Sequence, residues 1–506
     1  MTSTVFDESL LILSDVHLGN DLNDLTRDGT RRSECVDSDL ANLLAHYRKT
    51  PSAGRRWRLV IAGDFIDFIG MAILPEVGEL ATEPSAEERE HGLGNAADHG
   101  RVKLRAVAVR HKPVFEALAE FVADGHALTI IHGNHDVEFH WDGVKDELRA
   151  LLTGMAVRAR GGDATFADEF NARIEFAPWF YYVGGVAYVE HGHQYDTLCS
   201  TEHVMAPLSP NDHRRIARSF SDVLLRWVVR PTRGIPEYGH HLMGLADYVM
   251  LGARLGLGGL LRLSARFASA VVELFRMRRA YLSGTAQALR EEHERRMAAL
   301  AAATRLGIER LRALAALQAP PVTRSASKIL ASVLLDRLAL TMIGTSAVAA
   351  IAIAGSAPWR WPVVAAIALA WTLVHFHLRA RRRAWFGERL DNDQALVERA
   401  GHLARLFPAA FVVMGHTHTP EVASVAEGTA TYVNVGSWHE AEVDPESTRP
   451  SHRAARTHLV IHPAPAGPTA EFLAWCSEGP RRFLHGLTTE TDAPVVVPLP
   501  APSERG

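Results

Sequence analysis

The sequence predicts an α/β fold in two parts separated by a long helical insertion. Three observations carry this reading. Short apolar runs alternate with polar, helix-like stretches from the start to about residue 195, and similar runs return after residue 405. Between them, residues 196–400 show helical spacing and long apolar stretches but no strand pattern.

Composition permits this architecture. The chain has 506 residues, room for more than one domain. Hydrophobic residues make up 47% and charged residues 22%, which allows a sizeable core and excludes a disordered chain. The net charge of −4 averages over regions of opposite sign and excludes no class of partner. None of the three cysteines, Cys35, Cys199 and Cys476, stands in a C-x-x-C pair. Neither a zinc ribbon nor a disulfide framework is therefore expected, and a reduced, cytoplasmic setting is. Residues 1–8 lack a basic start, and the run at 10–13 is too short for a secretory leader.

That run, LLIL, reads as the first strand, followed by buried strands at 59–62 (LVIA) and 128–131 (LTII). Residues 179–190 read as two strands joined at Gly184-Gly185, a hairpin turn pair. The late strands fall at 411–414, 431–435 and 458–461. The expected segments are 1–195 and 405–478 for the α/β part, 196–335 for an Arg-rich helical insertion, 336–380 for an apolar hairpin, 381–404 for a connecting helix and 479–506 for a tail, Pro-rich and disordered from about 493.

Within the insertion, residues 214–279 carry 12 Arg against 4 acidic residues. Ile216, Phe220, Val223, Leu224, Trp227 and Val228 recur at helical spacing with Arg215, Arg218 and Arg226 among them. This is the pattern of a basic amphipathic helix on an anionic membrane surface, or of a helix packed on its own domain with a solvated Arg face. Residues 281–318 read as one or two long solvent-bearing helices. Residues 338–359 contain no charged side chain over 22 positions, and 361–378 again contain none. As helices, these runs span roughly 27–33 Å, close to the hydrocarbon thickness of a bilayer. Trp359 and Trp361 flank a turn, and arginines and a lysine stand outside both ends (Arg324, Lys328, Arg337; Arg379, Arg381, Arg382, Arg383). A membrane hairpin with both ends on the cytoplasmic face is expected; the other reading is a buried helical hairpin in a soluble domain.

Five short motifs follow apolar strands. They are Asp15-Val16-His17, Gly63-Asp64-Phe65-Ile66-Asp67, Gly133-Asn134-His135-Asp136, His191-Gly192-His193 and Gly415-His416-Thr417-His418. Loops at the carboxyl ends of α/β strands converge on ligands. Hard divalent cations beside a phosphate take carboxylate and imidazole ligands, and a pair of ions needs a carboxylate shared between them. Asp15, His17, Asp64, Asn134, His191, His416 and His418 supply such a set. Alternation in Asp15-x-His17 and His416-x-His418 lets two side chains point the same way, and the glycines at 63, 133, 192 and 415 permit sharp turns. Asp67 fits either a carboxylate behind a ligand histidine or a helix surface, and His193 fits either a substrate contact or a solvent-facing residue. Gln194, Tyr195 and Asp196 are left without an assigned role.

In their order and content these motifs resemble those of the calcineurin-like metallophosphoesterases, over roughly residues 10–195 and 405–465. The resemblance implies a four-layer α/β/β/α sandwich with two divalent metals at the strand ends. One metal would be held by Asp15, His17, Asp64 and His418. The other would be held by Asp64, Asn134, His191 and His416, with Asp64 bridging. It implies hydrolysis of a phosphoester or pyrophosphate by a hydroxide bridging the metals, with His135 acting on the leaving group and Asp136 orienting it. Asn434-Val435-Gly436-Ser437 is similar to the family's closing strand motif. Mn²⁺ is the first expectation for the metal, with Fe or Zn admitted by the same ligands. The sub-pattern at 14–19 with 63–67 is similar to the branch of UDP-2,3-diacylglucosamine pyrophosphohydrolases. Those enzymes lack an insertion of this size and usually carry Arg where this chain has His135. A membrane-proximal or lipid-linked substrate is therefore the expectation. The alternatives are a protein or nucleotide phosphatase or phosphodiesterase, and a membrane scaffold with a vestigial metal site. The Arg-rich stretch contains no recognised nucleic-acid module, which makes a nuclease the least favoured enzyme.

Overall fold

The computed structural model describes residues 8–22, 32–33, 36–50, 52, 54–75, 80–232, 235, 245–332, 335–353, 359–386, 392–439, 442–443, 455–464, 466–476, 479–484 and 487–488. The expected turn at 354–358 and the tail from 493 lie outside them.

The three early apolar runs form strands Glu8–Leu13, Arg56–Ala62 and Ala127–Ile131, which pair in parallel in that order. Buried on both faces, they need no polar alternation, so they read as continuous hydrophobic runs. Ile174–Ala177 adds a further parallel strand. On the other side Thr457–His462, Thr469–Cys476, Gly479–Leu484 and Leu487–Thr488 continue antiparallel, giving eight strands. A second sheet orders Phe180–Val183, Ala187–Glu190, Phe411–Met414, Ala430–Asn434 and Glu421–Val425. The expected hairpin at Gly184-Gly185 is its first pair. The fold is thus mixed α/β with two main sheets.

Side-chain alternation decides what each face covers. Leu10, Ile12, Val60, Ala62 and Ile131 join Val189, Phe411, Val413 and Val433 of the second sheet in one apolar cluster. The neighbouring positions Leu11, Leu13, Leu59 and Ile61 pack instead with Leu43, Leu104, Phe115 and Leu148, from helices Asp37–Lys49, Ala97–Arg110, Lys112–Ala123 and Asp142–Arg160. Tyr188, Val412, Met414 and Tyr432 of the second sheet meet Leu403 of Asn392–Leu406, Met297 of Thr285–Thr304 and Leu311 of Ile308–Ala316.

The structure corrects two expectations. The segment expected as tail from 479 begins with two sheet strands. Pro480 and the two arginines that follow fit a strand near a sheet edge. The stretch with Arg215, Arg218 and Arg226 is not a basic face on a membrane or in solvent. Arg215 and Arg218 precede a short helix, Phe220–Leu224, which runs into a wide turn, Leu225–Val229, that carries Arg226. These arginines point inward: Arg215 pairs with Glu88 (2.9 and 2.7 Å), while Arg218 (3.0 Å) and Arg226 both pair with Glu87. Long-range pairing of this kind has no local sequence signal.

Among the described residues two helices are long and apolar enough to cross a membrane, Arg254–Tyr281 and Trp361–Arg381. The first belongs to the region read as Arg-rich, and the second to the expected hairpin. Leu335–Ile353 and Arg360–Phe386 do pack against each other, and Gly344 makes room for Trp371: a Cβ there would lie 2.5 Å from the indole. Ile353, Trp359, Trp361, Leu369, Leu373 and Phe376 are exposed. The buried-hairpin reading therefore does not describe the outward faces of these helices.

Candidate metal centre

Each motif lies where expected, beyond the end of its strand, and backbone bonds knit the loops together. The first two ligand loops are joined by Asp15 N–H to Gly63 O (3.1 Å) and by Val16 and His17 N–H to Asp64 O (both 2.9 Å). Two carboxylates then divide their oxygens between loop and interior. Asp15 Oδ2 accepts from His416 N–H (3.0 Å), which leaves Oδ1 beside His418 Nε2 (3.1 Å) and 3.8 Å from His17 Nε2. Asp64 Oδ1 accepts from His135 N–H (2.8 Å), which leaves Oδ2 between His17 Nε2 (3.6 Å) and His191 Nε2 (3.2 Å). Asn134 Oδ1 also faces His191 Nε2 at 3.2 Å. His191 Nδ1 donates to Ala62 O (2.9 Å), which fixes Nε2 as the nitrogen offered to the interior.

Close approach is why two of the loop residues are glycine. A Cβ at Gly133 would lie 2.1 Å from Asp64 Oδ1, and one at Gly415 would lie 2.3 Å from Asp15 Oδ2. Neither glycine takes a positive φ, so space rather than a sharp turn demands them. Gly63 (93°) and Gly192 (103°) do make turns at positive φ, and the ligands themselves make others. Nine non-glycine residues among those described have positive φ, and five of them are Asp15 (55°), His17 (53°), Asp64 (54°), His416 (73°) and His418 (61°). Left-handed backbone costs a non-glycine residue about 1 kcal/mol or more. Five such residues cost roughly 5 kcal/mol, a large part of an ordinary domain's net stability. Strain of this size persists where function requires it.

The electrostatics favour cations. Burial alone would raise Asp15 and Asp64, but the facing imidazoles, His418 and His191 for Asp15 and chiefly His191 for Asp64, hold both carboxyls well below the usual range. Burial alone would lower His191, but Asp64 and Asp15 raise it to about 9. A field negative enough to hold a proton on a buried imidazole will also hold a metal ion. The facing Nε2 atoms of His17 and His418, 3.3 Å apart, need a cation or a proton between their lone pairs. Three ligand groups have donor atoms within 4.8 Å of one another: Asp15, His17 and His418; Asp15, Asp64 and His191; and His17, Asp64 and His135. The residues present fit divalent metals.

No family model matches the chain, and no curated protein matches it.

Six of the seven expected ligands are brought together by these contacts. His416 is the exception: its Nε2 faces Asp196 Oδ2 at 3.3 Å, in a group with Cys199, although its ring lies 5.3 Å from that of His191. Asp196 therefore has a place, holding His416 from the side of the insertion. His193 is buried among the rings of His191, His132 and His416 and does not face solvent.

The orienting role expected of Asp136 falls to another residue. Asp136 accepts from the N–H groups of Gly133 (2.6 Å), Phe65 (2.8 Å) and Asp64 (3.3 Å), so its carboxylate is spent on fastening two loops. Burial and the Asp64 charge push its carboxyl up to about 7. The residue that holds His135 is Asp67, whose Oδ1 accepts from Nδ1 at 2.8 Å. Burial would lower His135, but Asp67 and Asp64 raise it to about 10. A second histidine unremarked in the sequence, His439, lies 5.0 Å from the ring of His418 and 6.5 Å from that of His17, and meets Ser437 Oγ through Nδ1 at 2.5 Å. Its signal was present, two residues beyond Ser437 of the closing motif.

Proposed function

We propose that this chain is a metallophosphoesterase: a hydrolase of phosphoester or pyrophosphate bonds dependent on two divalent cations, Mn²⁺ first, with Fe or Zn admitted. The observation that carries the reading is the convergence of Asp15, His17, Asp64, Asn134, His191 and His418 on the centre built above, with Asp15, His17, Asp64 and His418 on left-handed backbone. Two sheets enclosing a shared core, with helices on the outer faces, support the four-layer sandwich that the family resemblance implies.

Asp15, His17, Asp64 and His418 would hold one cation, and Asp64, Asn134, His191 and His416 the other. When bound, the cations would supply Lewis acidity toward phosphoryl oxygens and a water acidified for attack. The chain's own residues do the rest. Asp67 keeps His135 in one tautomer and orientation, with the proton on Nδ1 engaged and Nε2 the atom that can carry a second proton. Protonated, His135 neutralises charge on the leaving oxygen and donates to it. Asp136 and the glycines at 133 and 415 keep the loops at the spacing the ligands need.

The exposed apolar helices support a membrane-proximal or lipid-linked substrate, with the chain held at the cytoplasmic face by residues 338–378. The test is hydrolysis of p-nitrophenyl phosphate and its bis ester by purified protein, stripped of metal and restored with Mn²⁺. Turnover that returns with Mn²⁺ is expected. A folded, Mn²⁺-loaded protein inert on both esters and on phospholipids, nucleotide-lipids and phosphopeptides would overturn the reading.

A further inference from the structure

The insertion reaches the centre of the site through one side chain. Arg230 ends the wide turn Leu225–Val229, where its N–H bonds to Leu225 O, five residues back, at 2.9 Å. Such widened turns are often found at functional sites. Its guanidinium is 5% exposed and crosses into the α/β part. Nη2 donates to Asp67 Oδ2 at 2.8 Å, and Nη1 donates to Asn20 O at 2.6 Å. Asp67 Oδ1 accepts from Gly70 N–H and from His135 Nδ1, both at 2.8 Å. A single cation thus ties together the loop after the first strand, the loop after the second, and the histidine of the third. Room is kept for it by Gly70, where a Cβ would lie 2.0 Å from Nη2 and 2.2 Å from Asp67 Oδ2.

We propose that Arg230 is a positioning residue for His135, so that the insertion is part of the reaction apparatus and not only an anchor. This rests on the hydrolase reading. Asp67 is fully buried, and a carboxylate with one charged partner could turn about its bond to that partner. Arg230 takes the second oxygen and removes that freedom. His135 is then held where it meets the leaving group. As the P–O bond breaks, the departing oxygen keeps the electron pair and takes the Nε2 proton, while water supplies the new oxygen on phosphorus and releases a proton to solvent, from which His135 is reprotonated. The need for that proton grows with the basicity of the leaving group.

The experiment compares p-nitrophenyl phosphate with phenyl phosphate, in Mn²⁺, for the intact chain and for Arg230→Met, Arg230→Lys and Gly70→Ala. Nitrophenolate leaves without a proton; phenolate does not. Arg230→Met is expected to lose about 10-fold or more of kcat on the phenyl ester and much less on the nitrophenyl ester. KM and metal content should stay near those of the parent. Gly70→Ala, which displaces the guanidinium without removing it, should reproduce the pattern, and Arg230→Lys should partly restore the phenyl ester rate. In an Asp67→Asn background, Arg230→Met should cost little more, because the two residues act through one path. Equal losses on both esters, or additive losses with Asp67→Asn, would reduce Arg230 to a structural tie and overturn the proposal. If Arg230→Met does not fold, Gly70→Ala and Arg230→Lys give the same decision. An inert parent would point to failure of the hydrolase reading; an active parent with an unchanged Arg230→Met, to failure of this inference alone.

Discussion

The loops around Asp15 and Asp64 and the stretch 215–230 both crowd charged side chains into the interior, but they do so by opposite means. In the loops, like-natured ligands are forced together, two carboxylates amid imidazoles, on backbone that is itself strained. In the insertion, each arginine meets a carboxylate in good geometry: Arg215 with Glu88, Arg218 and Arg226 with Glu87, Arg230 with Asp67. The first arrangement is incomplete as a set of charges and calls for cations. The second is complete and needs none. Clustering of charge is therefore no guide to function by itself; what remains uncompensated is.

The largest effect should come from breaking the incomplete set. Asp64→Ala removes the oxygen shared by His17 and His191, and should abolish both metal retention, read by elemental analysis, and turnover. Asn134→Ala should do the same to a smaller degree. Next, removal of residues 338–378 should move the protein from the membrane to the soluble fraction while sparing hydrolysis of p-nitrophenyl phosphate; full solubility of the intact chain would defeat the anchor. His135→Ala should keep both metals and lose on the order of 10²-fold in kcat, the contribution of a positioned acid. An unchanged rate would remove His135 from the mechanism.

Within the complete set, the Glu87 and Glu88 pairs yield smaller, purely structural effects. Glu87→Gln leaves Arg218 and Arg226 without their carboxylate, and should cost about 3 kcal/mol in denaturant unfolding. Acid gives a milder version. Burial would raise Glu87 and Glu88, but Arg218 and Arg226 for the first and Arg215 for the second depress them to about 2. Groups lowered on folding stabilise fully above their unfolded pKa, about 4.3, and lose that contribution as pH falls through the folded value. The melting temperature should hold to about pH 5 and fall between about pH 4.5 and about pH 2. Glu87→Gln should flatten part of that fall.

The same contrast explains what the sequence disclosed. The ligand loops were legible because each is local: a buried strand, a glycine, then Asp, Asn or His within a few residues. The most apolar strands were legible for the same reason, down to the Gly184-Gly185 turn, whereas Ile174–Ala177, Glu421–Val425, Thr469–Cys476 and Gly479–Leu484 were not. Illegible were the partners that sequence separates. Arg226 looked solvated because Glu87 lies far earlier in the chain, and Asp67 stayed between two roles because Arg230 lies far later. The family resemblance implies an orienting role for Asp136, but its side chain turns back toward the Gly133 and Phe65 N–H groups, a reversal that no local residue pattern announces.

The central claim is best tested by titrating the metal-stripped protein with Mn²⁺ while following bound metal and the electron paramagnetic resonance spectrum. Two ions per chain are expected, close enough to couple magnetically, with hydrolysis appearing as the second site fills. A folded protein that takes up no Mn²⁺, or a single uncoupled ion with full activity, would contradict the account.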